Sequence, residues 1–334
     1  MKNKLVVFWI VLFELVVVAF LGVNIYLRQS KVLGETVSIN PINKEDLIFP
    51  EEGNLKYFYE PAPNKIINNK PSWLPSDYSY TITTNTDNLN ERFDYSIEKN
   101  PDVFRIVTIG DSYTYGLYVN TKENYPERLE DMLTDNSLCK SNKKFEVINL
   151  GVGGYDIEYS VQRFKVRGQK YNPDLVLWLI GNDDFTGINE IIKPKKDQYK
   201  KEIKADENLL SHFYSIGEFH PWSEKAAQEL MEELSEDGVL AYNMRTLERM
   251  RDYYRERLVF ITFSGEAWPA LKDTYSLLLH DFSRVRGNTY FYNGLDSSFD
   301  HFEDWHPTSK GHAQIAGQIF DYLKQNGFVP CSSP

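Results

Sequence analysis

The amino-acid sequence predicts an α/β fold in which a parallel sheet is covered by helices on both faces. Five short apolar runs rich in β-branched and aromatic residues support this prediction; they span residues 104–110, 145–151, 174–181, 257–264 and 288–293. Their nearly continuous apolar character is typical of strands buried on both faces. The stretches between them are long enough for the crossover helices that parallel strands require. We therefore expect five strands in one domain, with additions.

The last of the predicted helices is the most clearly marked one. Thr308 or Ser309 can cap its N-terminus, and Gly327 follows its last apolar residue. Three apolar residues recur every four positions and predict a buried face: Ile315, Ile319 and Leu323. This helix is expected to cover one face of the sheet.

Composition and charge exclude several classes of protein. The 334 residues are 42% hydrophobic and 25% charged, which is typical of a soluble globular domain and excludes a disordered, collagen-like or polytopic membrane protein. The 37 Lys and Arg against 48 Asp and Glu give a formal net charge of -11. Because such a chain repels a phosphate backbone, we expect no nucleic acid partner.

The N-terminal segment departs from this globular composition. Residues 5–27 form an apolar run with Glu14 as its one charge. The run is long enough, at about 1.5 Å per residue, to cross a hydrocarbon core of about 30 Å. A cleaved signal peptide is the alternative, but its apolar stretch is expected to be only about 7–15 residues long. We predict a membrane anchor within residues 1–30, with a cytoplasmic N-terminus and the remaining chain outside the cytoplasm.

The region between the anchor and the first predicted strand is rich in proline. Residues 41–75 contain six prolines, too many for a regular helix, together with aromatic residues that include Tyr57, Phe58, Tyr59 and Trp73. We interpret residues 31–100 as a stalk and irregular extension that packs partly on the main domain through its aromatic side chains. The main domain is predicted to span residues 101–330.

An insertion interrupts the main domain at about residues 186–222. It holds six lysines within twelve residues: Lys193, Lys195, Lys196, Lys200, Lys201 and Lys204. A solvated face is the simpler interpretation. The functional alternative is a lid, or a patch for an anionic glycan or lipid headgroup, with aromatic surfaces for a sugar or acyl chain from Phe213, Tyr214, His220 and Trp222.

The two cysteines, Cys139 and Cys331, lie far apart and form no CxxC or Cys/His motif. This spacing predicts neither a zinc site nor a disulfide scaffold. A single long-range disulfide stays open, and two separate thiols are the interpretation we favour.

Polar and glycine-rich segments follow the first three predicted strands. Because the carboxyl ends of parallel strands meet at one edge of the sheet, these segments should lie together where open α/β folds bind their ligands. The segments are Gly110-Asp111-Ser112, Asn149 to Gly154, and Gly181-Asn182-Asp183; near the C-terminus stands Glu303-Asp304-Trp305-His306-Pro307. Taken singly each is a common turn, but their joint order indicates a hydroxyl, an imidazole and N–H donors at one site.

These four blocks resemble those of the SGNH (GDSL) hydrolases. The matching segments are GDSYTYG around Ser112, NLGVGGYD around Gly154, IGNDD around Asn182 and EDWHPTSKGH around His306. The resemblance extends over roughly residues 80–328. It implies a flavodoxin-like three-layer α/β/α fold, serine hydrolysis of esters, and no metal or organic cofactor.

The resemblance also implies a role for each residue. Ser112 would attack the ester carbonyl, and His306 would take its proton. The oxyanion would be met by the N–H groups of Ser112 and Gly154 and by the Asn182 side chain. Asp111 is expected to brace the serine turn rather than to react.

The identity of the acid that orients His306 stays open. In the family that the sequence resembles, the acid usually stands three positions before the histidine, which here is Glu303. A spacing of two positions selects Asp304, the residue we favour. His312 and His301 are rivals to His306 as the base, but His312 falls inside the last helix and His301 lacks a following proline.

The leading hypothesis is a membrane-anchored, extracytoplasmic serine esterase. It would remove or transfer small acyl groups, chiefly O-acetyl, on cell-surface carbohydrate. A lipid esterase or lysophospholipase is the second hypothesis. A catalytically silent carbohydrate-binding or assembly subunit that retains the fold is the third.

Overall fold

In a computed structural model, the structure of the protein is described for residues 46–50, 55–70, 74–204, 221–267 and 269–332. Two small antiparallel pairs come first: β1 (Leu47–Ile48) with β2 (Glu60–Pro61), and β3 (Ile66–Asn69) with β4 (Tyr80–Thr83). The main strands follow, namely β5 (Val103–Ile109), β6 (Lys144–Asn149), β7 (Leu175–Leu179), β8 (Arg257–Ser264) and β9 (Thr289–Asp296). These five form one sheet in the order β6-β5-β7-β8-β9, and every neighbouring pair is parallel.

The prediction of a central parallel sheet of five strands is confirmed. The strand order places β5 second in the sheet, between β6 and β7. This doubly wound order reverses direction at β5, so a crevice opens at the carboxyl ends of β5 and its neighbours.

Helices connect these strands. They are α1 (Ser112–Tyr115), α2 (Tyr125–Thr134), α3 (Ile157–Arg163), α4 (Asn182–Thr186), α5 (Asn189–Lys204), α6 (Pro221–Tyr253), α7 (Asp273–Val285) and α8 (Ser309–Gln325). Thr308 caps α8 by accepting a hydrogen bond from the Gly311 N–H, and Gly327 adopts a positive φ beyond its end. The backbone of α6 breaks at Ser235, where φ is 58°.

Two apolar layers enclose the sheet because successive strand residues point to opposite faces. Ile106 of β5 belongs to the layer beneath α2 and α8, and its neighbour Val107 to the layer beneath α3, α6 and α7. Both residues are fully buried. The sheet and the helices on its two faces therefore make three layers, as the continuous apolar runs predict.

The described part of the Pro-rich segment is anchored by buried charges. The carboxylate of Glu60 on β2 forms ion pairs with Arg163 and with Arg167, at 2.7 Å in the second case. Glu60 and Arg163 are fully buried. Although burial raises the pKa of Glu60, the two guanidinium groups outweigh it and hold this pKa below its ordinary value of 4.5. The segment therefore packs on α3 and the residues that follow it.

Glu60→Gln is expected to lower the free energy of unfolding by about 3–5 kcal/mol, because it leaves the Arg163 guanidinium buried without its counter-charge. Glu248→Gln is the matched control, since Glu248 pairs with Arg286 at the exposed surface and should matter little. Chemical denaturation of the full chain measures both. Since the pKa of Glu60 is lowered on folding, its contribution is present above about pH 4.5 and is lost as the pH falls through the folded value. If Glu60→Gln lost the same free energy of unfolding in acid as at neutral pH, the loss would not come from the ion pair of Glu60.

The interpretation of Cys139 and Cys331 as separate thiols is wrong. Their sulfur atoms form a disulfide, and their Cα atoms are 4.9 Å apart. The C-terminal residues after α8 return alongside the segment after α2, where the Ser332 N–H donates to the Lys140 carbonyl at 2.8 Å. The bond ties the C-terminus to the domain across a sequence separation of 192.

The helix of the insertion, α5, packs against the first part of α6 through a small apolar cluster. Ile192 of α5 and Leu230 of α6 belong to this cluster. Lys195 pairs with Glu229 and Glu233, so this lysine faces acids of the same pair of helices. Phe213, Tyr214 and His220, which the sequence suggested as ligand surfaces, lie outside the described residues, as does the Trp222 side chain.

The predicted membrane anchor, residues 5–27, also lies outside the described residues. Within the part of the chain that the structure describes, no helix is both long enough and apolar enough to span a bilayer.

Candidate active site

Ser112 begins α1 at the carboxyl end of β5, which lies between β6 and β7. The Asp111 side chain caps this helix by accepting a hydrogen bond from the Tyr113 N–H at 2.9 Å. Gly116 ends the helix with φ at 81°, a conformation that glycine adopts without steric cost. This short, capped helix fixes the serine at the site-bearing edge, and Asp111 braces the turn as the sequence suggested.

Ser112, His306 and Asp304 form one chain of hydrogen bonds. The His306 Nε2 lies 2.8 Å from the Ser112 Oγ, and its Nδ1 lies 2.9 Å from Asp304 Oδ2. The other Asp304 oxygen accepts a hydrogen bond from the His306 backbone N–H at 3.2 Å. A hydroxyl next to an imidazole, which is in turn held by a carboxylate, is the arrangement that activates a serine as a nucleophile.

The structure distinguishes the alternatives that the sequence left open. Asp304, not Glu303, contacts the imidazole, and Glu303 is exposed. His312 is fully buried in α8, where burial, Arg128 and His306 lower its pKa to about 3, so it stays neutral. The His301 ring stacks on the Trp305 indole at 4.1 Å. Of the three histidines, only His306 contacts the serine.

Two tyrosines surround the imidazole. The ring centroids of Tyr113 and Tyr118 lie 5.3 Å and 5.2 Å from that of His306. The Tyr113 hydroxyl donates to the Trp305 carbonyl at 2.8 Å. Burial, together with the charges of nearby aspartates, raises the pKa of Tyr113, so its hydroxyl stays a donor. These contacts limit the rotation of His306 and hold the loop that carries it.

Trp305, between the acid and the base, has a left-handed backbone. Its φ is 70°, a region that a bulky residue rarely occupies. The Trp305 N–H donates to the Phe302 carbonyl at 3.0 Å, which closes a tight turn. This turn brings the Asp304 carboxylate onto His306 Nδ1 across a spacing of only two residues.

Trp305→Gly is expected to give a more stable protein than Trp305→Ala, by on the order of 1 kcal/mol, because only the glycine adopts a positive φ without a Cβ clash. Both variants lose the stacked indole, so the comparison isolates the backbone. Urea unfolding at pH 7 measures the difference. Equal stabilities, or a more stable alanine variant, would show that the turn stores no such strain.

The glycine-rich turn after β6 lies directly against the serine helix. A Cβ on Gly151 would be 2.4 Å from the Tyr115 backbone nitrogen, so no other residue fits this approach. The Val152 N–H donates to the Gly110 carbonyl at 3.2 Å. The turn that carries Gly154, with φ at 76°, is therefore brought to the same edge as Ser112.

Asn182 is held by the loop after β8. Its side-chain Nδ2 donates to the Ala270 carbonyl at 2.8 Å, and its Oδ1 accepts from the Lys272 N–H at 2.9 Å. One of the two Nδ2 hydrogens is thus used within the protein, and the oxyanion role that the resemblance implies would require the other. The structure places Asn182 at the β7 end beside the serine turn, where the sequence predicted it.

A cleft opens beside these residues. Its lining comes from the ends of β5, β7 and β8 and consists of Asp111, Tyr113, Leu179, Ile180, Gly181, Asn182, Asp183, Phe263 and Pro269. Below it, the buried Asp184 accepts a hydrogen bond from the Gly181 N–H at 2.6 Å. Burial, and then the charges of Asp111 and Asp183, raise the pKa of Asp184 well above its ordinary value. The Asp184 carboxyl braces this turn through the Gly181 N–H.

Sequence reasoning missed the tyrosines that contact the site. Tyr113 stands in the serine block without a role of its own, Tyr118 lies outside every block, and the aromatic pattern of the extension indicates only packing for Tyr59. The Tyr59 hydroxyl donates to the Gly153 carbonyl at 2.6 Å, across 94 residues of sequence. The position of Tyr113 directly after the serine was the one local signal.

Among the described residues, no group of three or more His, Cys, Asp or Glu side chains is placed to hold a metal ion. The resemblance implied no metal, and the candidate roles above require only side-chain and backbone groups of this chain.

Several solved structures, two of them of esterases, are similar to the chain at low identity. TesA is 13% identical with a TM-score of 0.41, covering 66% of this chain and 98% of its own. A catalytic mutant of Axe2, an acetylxylan esterase from Geobacillus stearothermophilus, is 17% identical with a TM-score of 0.41. The match covers 69% of this chain and 97% of the Axe2 chain. A carbohydrate esterase of family 3 from Talaromyces cellulolyticus is 14% identical with a TM-score of 0.38. The match covers 67% of this chain and 97% of the esterase chain.

A search among curated proteins finds no match to the sequence. The sequence profile of the GDSL-like lipase/acylhydrolase family, in contrast, matches residues 108–314, which is more than half of the chain and includes Ser112, Gly154, Asn182 and His306. The chain therefore belongs to the GDSL-like lipase/acylhydrolase family and is a carboxylic ester hydrolase.

Proposed function

We propose that this protein is a membrane-anchored, extracytoplasmic esterase that removes or transfers small acyl groups, chiefly O-acetyl, on cell-surface carbohydrate. The observation that carries the chemical part is the continuous hydrogen-bond chain from Ser112 through His306 to Asp304. The acyl size, the sugar and the location follow from separate arguments.

The proposed reaction has two steps through an acyl-enzyme. Ser112 Oγ attacks the ester carbonyl while its proton passes to His306 Nε2, and the tetrahedral oxyanion is met by N–H donors including that of Gly154. The imidazolium, stabilised by Asp304, returns the proton to the departing alkoxide. Water in hydrolysis, or a sugar hydroxyl in transfer, then attacks the acyl-enzyme while its proton passes to His306, and His306 returns a proton to Ser112 Oγ as the acyl group leaves. Both outcomes use the same residues.

The cleft favours a small acyl group and a polar alcohol. Two of its lining residues, Asp111 and Asp183, are carboxylates, and carboxylates accept hydrogen bonds from sugar hydroxyls. A long acyl chain in the same space would remove water from these charges without replacing its hydrogen bonds. This argument supports the carbohydrate ester over the lipid ester.

The location is supported by two features. Residues 5–27 have the length and apolar character of a membrane helix. The Cys139 to Cys331 disulfide is of the kind that persists outside the reducing cytoplasm.

The full chain, purified in detergent, tests the proposal. It should hydrolyse p-nitrophenyl acetate faster than the octanoate and palmitate esters, and release acetate from an acetylated oligosaccharide. A fluorophosphonate should add its mass to the peptide that contains Ser112 and to no other. A preference for palmitate would favour a lipid esterase, and glycan binding without labelling would favour a silent subunit. Appearance of acetylated acceptor oligosaccharide identifies transfer.

A further inference from the structure

The peptide unit that joins Gly153 to Gly154 is held by a residue far upstream. The Tyr59 hydroxyl donates to the Gly153 carbonyl oxygen at 2.6 Å, and a Cβ on Gly154 would lie 2.9 Å from the same hydroxyl. Tyr59 is outside residues 108–314, which the family profile matches. The contact is therefore supplied by this chain's N-terminal extension.

Tyr59 is itself fixed at both its ring and its backbone. The Tyr155 hydroxyl donates to the Tyr59 carbonyl oxygen. The Tyr59 ring meets those of Tyr155 and Tyr159 edge-on, at centroid distances of 5.3 Å and 6.0 Å. Such edge contacts between rings are favourable beyond the area they bury. The hydroxyl is therefore presented to Gly153 from a rigid support.

The backbone just before Tyr59 is hydrogen-bonded to the start of α5, which also contacts the glycine turn. The N–H groups of Lys56 and Tyr57 donate to the Glu190 carboxylate at 2.9 Å and 2.7 Å. The neighbouring residue Asn189 donates from its side chain to the Gly154 carbonyl at 3.0 Å. The glycine turn thus lies between the extension and the start of α5, and contacts both.

Peptide geometry links the Gly153 carbonyl to the Gly154 N–H. The two groups belong to one planar trans unit and point in opposite directions, so a donor that holds the carbonyl oxygen also sets the direction of the N–H. Two adjacent glycines have wide conformational freedom and need such a hold. A hydrogen bond at the carbonyl also polarises the amide and strengthens its N–H as a donor.

From this geometry we propose that Tyr59 is a positioning residue for the oxyanion hole. Through the Gly153 carbonyl it aims the Gly154 N–H at the oxygen that becomes negative in the tetrahedral intermediate. The proposal rests on the esterase function proposed above. Because the oxyanion exists only during the reaction, Tyr59 should affect the transition state and leave substrate binding unchanged.

Tyr59→Phe removes the hydroxyl and keeps the ring contacts. We expect kcat for p-nitrophenyl acetate to fall by about 10-fold, a part of the 10²–10³ that complete loss of one oxyanion donor costs. KM should stay within a factor of two. The affinity for an alkylboronic acid, which forms a tetrahedral anion on the serine, should fall by the same factor as kcat. A merely structural role would not produce this parallel loss.

Tyr292→Phe is the matched control. Its hydroxyl also donates to a glycine carbonyl, that of Gly294 at 3.1 Å, but on β9. Its kcat and boronate affinity should equal those of the wild type. Tyr155→Phe loosens Tyr59 without removing its hydroxyl, and it should show a smaller loss of the same kind, which keeps the test valid if Tyr59→Phe does not fold.

Three results would overturn the inference. They are wild-type kcat in Tyr59→Phe, a loss of kcat without weaker boronate binding, and an equal loss in Tyr292→Phe. Absence of ester hydrolysis by the wild type would refute the proposed function together with this inference. An active wild type with an unaffected Tyr59→Phe variant would refute the inference alone.

Discussion

Ser112→Ala is expected to lower kcat for ester hydrolysis by roughly 10⁴–10⁶, because it removes the hydroxyl that lies on His306 Nε2 and the acyl-enzyme cannot form. The N–H donors of the oxyanion hole remain, so a small residual activity above the reaction in water should persist. Initial rates with p-nitrophenyl acetate measure the loss. The Asp111 cap of α1 does not involve the serine side chain, so the fold should be retained.

Ser283→Ala provides the control for this substitution. Ser283 lies on α7, where its hydroxyl donates to a carbonyl of the preceding turn, that of His280 at 2.7 Å. Its rate should match that of the wild type. If Ser112→Ala kept more than a tenth of the wild-type rate, the nucleophile would have to be sought elsewhere.

Asp304→Asn is expected to lower kcat by roughly 10⁴-fold while the protein stays folded. The carboxylate accepts from His306 Nδ1 and so keeps Nε2 free to take the serine proton. An amide in its place can donate to Nδ1, which puts the ring proton on Nε2 and removes the base. Steady-state kinetics at neutral pH measure the effect, with the melting temperature as the check on folding.

Glu303→Gln distinguishes the two acids that the sequence left open. Glu303 is exposed, and it is Asp304 that contacts the imidazole, so the rate of this variant should equal that of the wild type. If Asp304→Asn kept the wild-type rate and Glu303→Gln lost it, the loop would have to rearrange when substrate binds.

Much of the fold was accessible from local patterns. The apolar run 257–264 coincides with β8, and Thr308 caps the last helix as its side chain suggested. Such features depend on residues close together in sequence, where periodicity and capping chemistry act directly. The positions of Ser112 and Asn182 at the sheet edge followed because parallel strands align their carboxyl ends.

Contacts that depend on the folded backbone were harder to predict from the sequence. The choice between Asp304 and Glu303 depended on the left-handed backbone of Trp305, for which a tryptophan gives no signal. The Cys139 to Cys331 bond depended on the return of the C-terminus after the last helix. The contact of Tyr59 with Gly153 joins two segments that no motif relates.

The sequence by itself determined the sheet of five parallel strands, the family, and the serine and histidine of the candidate site, because buried strands and short motifs are written in neighbouring residues. The tertiary structure alone decided which acid meets the histidine, that the two cysteines are bonded, and that a tyrosine of the N-terminal extension holds the glycine turn. The physical reason is that the disulfide and the tyrosine contact join backbone segments far apart in sequence, which meet only when the core has packed. The Asp304 contact depends on the left-handed backbone of Trp305, a conformation that the loop adopts in the folded protein.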